Sequence, residues 1–328
     1  MRSMMRGMAG TTGGTIERRG GRIEPLGPYL ERVHDRFHRL EYLAPDPLVF
    51  LHNYSDPADV EVVGFLAALL AYGRVARILT SVESVLDGLG PHPAEAIRRF
   101  DESETGSRYA GFVHRWSRGE DLVALFVSLR GTLERVGTLE ALFLEGYTPG
   151  APGAARAALS RFVHSLRARA EGRAARARGL PFLLPDAASG SACKRLNLFL
   201  RWMVRRDDPL DRGIWRSVLP SDLVMPLDTH VARIARNLGL SSRKTADWRM
   251  AAEVTESLRA IDPADPTRFD FAICRLGILD ECPTRLDWEK CLACELRPAC
   301  RLHASFRPRR GGSRAAPTSG TRGRKTSR

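Results

Sequence analysis

The feature that most constrains this chain is a group of cysteines near its C-terminal end. Four of its six cysteines lie within residues 282–300 in the spacing C-x8-C-x2-C-x5-C: Cys282, Cys291, Cys294 and Cys300. Four thiolates this close in sequence can surround one metal centre, and sulfur ligands suit either tetrahedral zinc or a four-iron, four-sulfur cluster. The alternative is coincidence or disulfide bonding, but a chain with no cysteine before Cys193 is not a disulfide scaffold. The spacing therefore predicts a metal-binding loop.

The sequence of this loop also bears on which metal it binds and on what its charges do. Zinc ribbons usually carry two separated C-x2-C pairs, whereas this loop has one such pair. The basic residues Arg285, Lys290, Arg297 and Arg301 lie between or beside the cysteines. They either keep a short loop solvated or face the phosphates of a nucleic acid.

Length and composition indicate a globular protein. The 328 residues can bury a sizeable core, and a hydrophobic content of 43% is ordinary for a folded domain. No apolar run reaches the roughly eighteen residues of a membrane span, and the arginine-containing start lacks the apolar stretch of a secretory signal. We therefore expect a cytoplasmic protein with no membrane span, and thiolate metal ligands agree with a reducing compartment.

The net charge of +13 is concentrated at the two ends of the chain. Residues 307–328 hold eight Lys or Arg and no acid, and residues 1–22 carry a net charge of +4. Overall basicity therefore says little about the partner of the folded part. The ends either add non-specific attraction to nucleic acid or are disordered, solubilising segments. We predict disordered tails at 1–22 and 307–328 around a helical unit of residues 23–306.

Hydrophobic periodicity predicts an all-α fold. Apolar residues recur at helical spacing along most of the chain, and no segment shows sustained period-two alternation. A long apolar helix starts at Asp56 and ends at Gly73 and Arg74, and residues 154–178 are interpreted as one amphipathic helix. The Gly- and Pro-rich loop at 146–154 is the predicted boundary between two lobes.

One candidate catalytic stretch is a polar loop that leads into an amphipathic helix over residues 194–204. Backbone N–H groups of the loop Ser189, Gly190 and Ser191, at the start of such a helix, can hold a phosphate. Lys194 lies in or near the first turn, where the positive end of the helix dipole disfavours an ammonium. An amine held neutral is a usable nucleophile for imine chemistry. The alternative is a solvent-exposed lysine, or one that binds phosphate as a plain charge.

The second candidate stretch is P-L-D-T-H, residues 226–230, followed by an apolar stripe that ends at Gly239. This pattern predicts a helix with Asp228 as its N-cap and Gly239 as its C-terminal stop. Capping alone would explain an aspartate at this position, since an N-cap contributes about 1 kcal/mol of stability.

At this point the sequence resembles a known family. The segment PLDTHVARIARNLGL resembles the V-D-T-H-V-x-R-V-x-x-R-L-G-L signature of endonuclease III and adenine-mismatch DNA glycosylases. The cysteines resemble that family's C-x6-C-x2-C-x5-C cluster loop, with the first gap longer by two. The resemblance covers residues 56–300 and is strongest over 190–300. As a whole, the chain is most similar to an uncharacterised conserved bacterial family related to these enzymes.

The resemblance implies a two-lobed helical DNA-glycosylase-like fold with a C-terminal four-cysteine loop that holds a 4Fe-4S cluster, with zinc as the alternative. It implies a catalytic role for Asp228 and, by position, a nucleophilic role for Lys194. Its partner would be double-stranded DNA, and the protein is expected to be a monomer. The DNA contacts that we predict are Gly73, Arg74, Ser189, Gly190, Ser191, Arg195, His230 and Arg297.

The chain also departs from the family pattern. The Gly-rich L-P-G-V-G-x-K hairpin is absent, and Lys194 precedes Asp228 by 34 positions, far more than in endonuclease III. The intervening segment carries Trp202 and Trp215, which either stack on an extruded base or pack in the core. Core packing is favoured for Trp202.

The expected function is base-excision repair, as a DNA N-glycosylase, an abasic-site lyase, or both. Two other classes are considered. The first is a non-catalytic DNA-binding protein on the same scaffold. The second is a metal-dependent nuclease that uses acids such as Asp207, Asp208 and Asp222.

Overall fold

The computed structural model describes residues 24–170, 172, 176–285 and 287–305. The described chain is mostly helical, as the periodicity predicts. The tails predicted at 1–22 and 307–328 lie outside the described residues. None of the helices in the described ranges combines the length and the apolar composition that a membrane crossing requires.

The described residues form fifteen α-helices, joined by short loops and 3₁₀ turns. They are α1 (Gly27–Phe37), α2 (Pro57–Leu70), α3 (Val75–Leu89), α4 (Pro93–Arg98), α5 (Glu102–Thr105), α6 (Gly119–Val136), α7 (Leu139–Leu144), α8 (Ala154–Arg169), α9 (Leu180–Leu183), α10 (Lys194–Val204), α11 (Thr229–Leu238), α12 (Trp248–Arg259), α13 (Asp270–Ile278), α14 (Trp288–Ala293) and α15 (Arg301–Ser305).

A two-stranded antiparallel hairpin interrupts the helices. Strand β1 (Val113–His114) pairs with β2 (Ser117–Arg118), with Val113 opposite Arg118 and His114 opposite Ser117. The sequence pattern misses this hairpin because a strand of two residues is too short to show alternation. The all-α class is otherwise confirmed.

Helix α2 lies at the centre of the larger apolar cluster. It begins as the sequence predicts, since Asp56 accepts a hydrogen bond from the backbone N–H of Ala58 at 2.8 Å and Pro57 occupies the first turn. From Asp59 to Leu70 every residue of α2 is buried, and α2 packs most extensively against α10. Because Gly64 has no side chain, the Met203 methyl of α10 can approach the α2 backbone closely.

Two apolar clusters form the core. The first includes α2 and α10 and extends in sequence from Leu43 to Leu223, with Trp248 and Phe271 in addition. The second combines α1 with α11, α12 and α13. Residues on both sides of the 146–154 loop belong to the first cluster, and a lobe boundary at this loop stays a prediction. That loop packs on the first cluster through Tyr147 and Ala151 and joins α7 to α8 at its surface.

The helix predicted over residues 154–178 is shorter than expected. Helix α8 ends at Arg169, and the next described helix, α9, begins at Leu180. Residues 171 and 173–175 lie outside the described part of the chain. Gly172 follows the end of α8, and glycine weakens a helix because it leaves the backbone the most freedom to lose.

Buried ion pairs join the two clusters. Arg201 of α10 binds Asp211 at 3.1 Å and Asp270 of α13 at 2.5 Å. Arg205 binds Asp211 and Asp265, each at 2.6 Å. Both arginines and Asp211 are almost fully buried, so the polar contacts of α10 with α13 lie out of water.

Candidate active site

Lys194 is the first residue of α10, in the first turn where the sequence predicts it. The preceding Cys193 has a left-handed backbone conformation, with φ at 47°, and serves as the N-cap. The Nζ of Lys194 donates to the carbonyl oxygen of Ala71 at 3.4 Å. Ala71 is the C-cap of α2, so the lysine joins the start of α10 to the end of α2.

Asp228 is the N-cap of α11, and its two carboxylate oxygens have different partners. Oδ1 accepts from the backbone N–H of Val231 at 2.7 Å, which confirms the predicted cap. Oδ2 accepts from the Sγ of Cys274 at 3.5 Å. One oxygen therefore stabilises α11 while the other faces α13.

Asp270 and Cys274 lie one turn apart on α13 and complete the candidate site. Burial and the nearby Asp228 carboxylate raise the pKa of Asp270 to about 6, against the opposing effects of Arg201 and Lys194. Burial, followed by Asp228 and Asp270, raises the pKa of the Cys274 thiol well above its ordinary value, and Lys194 opposes this shift. The charges of Lys194 and Asp228 thus both affect the pKa values of Asp270 and Cys274, although 34 positions separate Lys194 from Asp228 in sequence.

The site lies at the junction of the two apolar clusters. Lys194 begins a helix of the first cluster, whereas Asp228 and Cys274 belong to helices of the second. The Lys194 amine contacts the end of α2 and the Asp228 carboxylate contacts Cys274 of α13, and an amine and a carboxylate are groups that can carry nucleophilic attack and proton transfer. Sequence reasoning missed Asp270 and Cys274. The available signal was two polar side chains four residues apart on an apolar helix that faces the core.

Four of the predicted DNA contacts lie at the surface, and Arg297 of the cysteine loop is one of them. Gly73 is exposed with φ at +100°, a conformation that favours glycine, and Arg74 is the exposed N-cap of α3. Ser189 is also exposed. Contact of these residues with DNA stays a prediction.

The Arg195 side chain is buried and makes contacts within the protein. The residue is only 8% exposed, and its Nη1 donates to the Leu69 carbonyl of α2 at 2.7 Å while Nη2 donates to the Phe182 carbonyl. Its guanidinium lies over the rings of Tyr72 and Phe182. The last carbonyls of a helix lack partners within the helix, and Arg195 supplies a donor there; its predicted contact with DNA stays a prediction.

The Ser189-Gly190-Ser191 loop uses part of its hydrogen-bonding capacity internally. The Ser189 hydroxyl donates to the Asp186 carbonyl at 2.7 Å, and the Gly190 N–H donates to the Ala187 carbonyl at 3.2 Å. The Ser191 hydroxyl accepts from the N–H of Cys193 at 3.2 Å. A phosphate at this loop would therefore bind to a turn whose conformation is already fixed by internal hydrogen bonds.

His230 lies in the contact between α11 and α13. A Cβ built at Gly277 would stand 2.5 Å from the His230 Cβ, so only glycine allows this approach. The close approach keeps the two helices that carry Asp228 and Cys274 together. His230 is half-buried, and its predicted contact with DNA is untested.

The cysteine loop contacts the helix that Asp228 caps. All four cysteines are free thiols, and the Sγ of Cys282 accepts from Arg233 at 3.5 Å and from Asn237 at 3.7 Å, both on α11. Burial and the neighbouring thiols of the loop raise the pKa of Cys294 to about 11. Arg297 is exposed on this loop.

The loop offers the donor set of a sulfur-bound metal but not its closed geometry. The Arg233 and Asn237 donors suit thiolate ligands. Within the described ranges, no three His, Cys, Asp or Glu side chains converge on a point that would hold a metal ion. The metal site and its iron–sulfur or zinc identity stay predictions.

The aspartates that a metal-dependent nuclease would use are engaged in structural contacts or lie apart from one another. Asp208 binds His38 at 2.7 Å and Arg205 at 2.9 Å, and these partners hold its pKa well below the ordinary value despite burial. Asp222 accepts from the Tyr147 hydroxyl at 2.6 Å and from Gly150 at 2.7 Å. Asp207 stands outside both contacts, at a turn with φ of 54°. These acids therefore do not form one metal-binding group.

Both tryptophans of the inserted segment are core residues. Trp202 is fully buried, as favoured from the sequence, and Trp215 is 1% exposed. The Trp215 Nε1 donates to the buried Glu61 carboxylate at 2.7 Å. Stacking of Trp215 on an extruded base is therefore wrong, because its faces pack against core side chains.

A surface groove lies apart from the candidate site. It measures about 920 Å³ and lies at the C-terminal end of α11, beside Gly239. Asp228 caps the opposite end of this ten-residue helix, roughly 15 Å away. The arginines that line the groove are Arg156, Arg236, Arg243, Arg249 and Arg301.

These features define a helical protein of two apolar clusters with a lysine–carboxylate site at their junction. Residues 46–279 match the family described as "Protein of unknown function (DUF2400)", and the chain belongs to that family. The matched segment contains Lys194, Asp228, Asp270 and Cys274. Searches of the curated proteins and of the solved structures each returned no match.

Proposed function

We propose that this protein is a DNA N-glycosylase and abasic-site lyase that acts on damaged or mismatched bases in double-stranded DNA. The observation that carries the proposal is the contact of the Asp228 carboxylate with Cys274 of α13, a group whose pKa is also affected by the charge of Lys194. The resemblance around Asp228 supports it independently of that geometry.

The proposed reaction begins when the Lys194 amine attacks C1′ of the nucleotide's sugar. The bond between C1′ and the base breaks, and the base leaves with the bonding electrons and takes up a proton. Asp228 stabilises the positive charge that develops on the sugar, and it accepts a proton from the attacking amine. Opening of the sugar gives an imine on Lys194, and loss of the C2′ proton then expels the 3′ phosphate.

Asp270 holds the site in place in this scheme. It is 4% exposed and ion-paired with Arg201, so it is not placed to reach the sugar. Asp270 interacts electrostatically with both Asp228 and Lys194, and the Lys194 amine contacts Ala71 at the end of α2.

The cysteine loop has a structural role in the proposal. Cys282, Cys291, Cys294 and Cys300 would hold a four-iron, four-sulfur cluster, or zinc as the alternative. The bound group would supply rigidity rather than a reacting atom. Through Arg233 and Asn237 the loop braces α11, and it carries Arg297 at the surface, where a DNA phosphate can meet it.

The test is borohydride trapping on a duplex that contains one abasic site. We expect wild-type protein to form a covalent adduct and the Lys194→Ala variant to form none. The chain has few lysines, and Lys244 is exposed in the loop after α11, so Lys244→Ala is the matched control and should trap normally.

Each of the other outcomes would lead to a different conclusion about the activity or the nucleophile. An adduct that survives Lys194→Ala would keep the lyase and reject the lysine assignment. Binding to the duplex without any adduct would exclude a lyase on this substrate, and it would leave a single-function glycosylase that works through Asp228 or a non-catalytic DNA-binding protein.

A further inference from the structure

A surface patch of aromatic and basic side chains lies at the tip of the β1–β2 hairpin. Trp116 is 60% exposed, Val113 is 47% exposed and Phe182 of α9 is 38% exposed. The Trp116 ring lies 5.5 Å from Phe182 and nearly parallel to Tyr72 at 6.4 Å, and the Arg115 guanidinium covers it at 4.3 Å. Scattered exposed apolar residues are ordinary, but a joined aromatic group on a projecting turn indicates a binding surface.

The hairpin is rigidly attached to the turn that follows α2. The Tyr72 hydroxyl lies 2.7 Å from the His114 carbonyl and 2.8 Å from the Ser117 hydroxyl. The buried His114 ring reaches the Tyr72 carbonyl at 3.0 Å and Ser81 at 2.8 Å. Burial lowers the pKa of His114, so these contacts are those of a neutral ring at neutral pH. The hairpin tip is therefore held in position.

The same turn connects the patch to the candidate active site. Ala71, which accepts the Lys194 hydrogen bond, immediately precedes Tyr72. The buried guanidinium of Arg195, the residue after Lys194, lies 4.9 Å from the centre of the Tyr72 ring and 4.4 Å from that of Phe182. The patch and the lysine thus share the end of α2 as a common support.

The charges around the patch suit a polyanion. Four exposed arginines surround it, and none of them is ion-paired with a carboxylate of the described residues: Arg74, Arg77, Arg115 and Arg118. A protein partner with an apolar face would not need this excess of unpaired positive charge. Aromatic rings interleaved with arginines are the combination that binds unpaired nucleotides, because every base has a face to stack and every nucleotide carries a phosphate.

We propose that Trp116 stacks on an unpaired base of the DNA, with Arg74, Arg77, Arg115 and Arg118 on the flanking phosphates. The inference rests on the proposed function, since extrusion of a nucleotide leaves its partner base unpaired beside the active site. It assigns to the hairpin a role in recognising opened DNA that Asp228 and Lys194 do not supply. Arg115 takes φ of 54° at the hairpin turn, an uncommon conformation for a residue other than glycine, and this turn presents Trp116 to solvent.

The test compares two labelled duplexes at one fixed salt concentration. One contains a tetrahydrofuran abasic analogue opposite 2-aminopurine, and the other is fully paired. We expect Trp116→Ala to weaken binding to the abasic duplex by about five- to a hundred-fold, while binding to the paired duplex changes little. Trp116→Phe should retain most of the affinity because it keeps a stacking ring. Leu40→Ala, at a residue that is 58% exposed outside the patch, is the control and should match wild type.

The fluorescence of 2-aminopurine reports the stacking directly. A change in emission on binding should occur with wild type and Trp116→Phe and be absent with Trp116→Ala. If Trp116→Ala binds and quenches like wild type, the stacking role is rejected while adduct formation at Lys194 can still stand. If Trp116→Ala lost affinity equally for both duplexes, the patch would be a general DNA contact, and this result would overturn the inference. If wild type binds neither duplex and forms no adduct, the proposed function fails together with the inference.

Discussion

Asp228 has a structural task and a proposed chemical task on two different oxygens of one carboxylate. Oδ1 caps α11 and Oδ2 faces Cys274 and the buried Asp270. Asn is as good an N-cap as Asp, whereas Ala is not. The two tasks can therefore be separated by choosing between these substitutions.

Asp228→Asn should leave stability within about 1 kcal/mol of wild type but lower base release and borohydride trapping by on the order of a hundred-fold or more. Asp228→Ala should lose activity equally and about 1 kcal/mol of stability in addition, because the cap is gone. Urea unfolding and single-turnover assays measure the two effects. An active Asp228→Asn variant would show that the carboxylate serves only as a cap.

His34 makes the stability of the fold sensitive to acid. Burial, followed by the nearby His38, Arg268 and Arg205, lowers its pKa from 6.5 to about 4. The unfolded chain therefore takes up a proton at higher pH than the folded chain does. This contribution to stability is complete above about pH 6.5 and is lost as the pH falls toward about 4.

His34→Phe should weaken this acid sensitivity. The His34 ring stacks on His38 at 4.4 Å, and its Nε2 is buried without a hydrogen-bond partner among the described residues, so an apolar ring fits the site. Urea unfolding at pH 7 and pH 5 should show a smaller loss of stability in the variant than in wild type. Parallel losses in both proteins would contradict the assignment.

At the residue scale, the sequence predicts what local pattern determines. Asp228 as an N-cap and Lys194 in the first turn of α10 follow from capping and periodicity. Asp270 and Cys274 could not be predicted as site residues, because their role depends on which helix lies opposite. The burial of Arg195 could not be predicted for the same reason, since only the packing of α2 against α10 shows it.

At the scale of elements, α10 depends on the ion pairs that hold its C-terminal half. Arg205 binds Asp208, Asp211 and Asp265, of which Asp211 is fully enclosed. Removal of one residue from such a network lowers the stability of the fold strongly, because the remaining charges stay buried without a partner. Helix boundaries could be predicted from caps and prolines, but this network joins residues whose pairing no local pattern encodes.

Arg205→Ala should destabilise the protein by about 3–5 kcal/mol, since it leaves buried carboxylates uncompensated. Arg206→Ala, at the exposed neighbouring position, is the matched control and should cost less than about 1 kcal/mol. Thermal and urea unfolding of the two variants provide the measurement. Equal stability of both variants would mean that the network contributes nothing net.

At the scale of the whole molecule, the second cluster is built from both ends of the described chain. Helix α1 packs against α13, and the backbone N–H of Glu24 donates to the carbonyl of Pro298 at 3.2 Å. In sequence, α1 is followed by elements of the first cluster, although it packs in the second. The composition of the loops therefore could not predict the division into two clusters. The cysteine loop closes this assembly over α11, which carries Asp228.

This closure predicts that the metal of the cysteine loop supports the site as well as the loop. If a four-iron, four-sulfur cluster is bound, purified protein should contain about four iron atoms per chain, whereas zinc would give about one. Cys282→Ser should lower the metal content and the Tm and weaken trapping at Lys194, because the bracing of α11 through Arg233 and Asn237 is lost. Cys193→Ser, in the first cluster, should keep the metal content of wild type. Full metal content in Cys282→Ser would exclude Cys282 as a ligand, and a metal-free wild type with full trapping activity would separate the loop from the chemistry altogether.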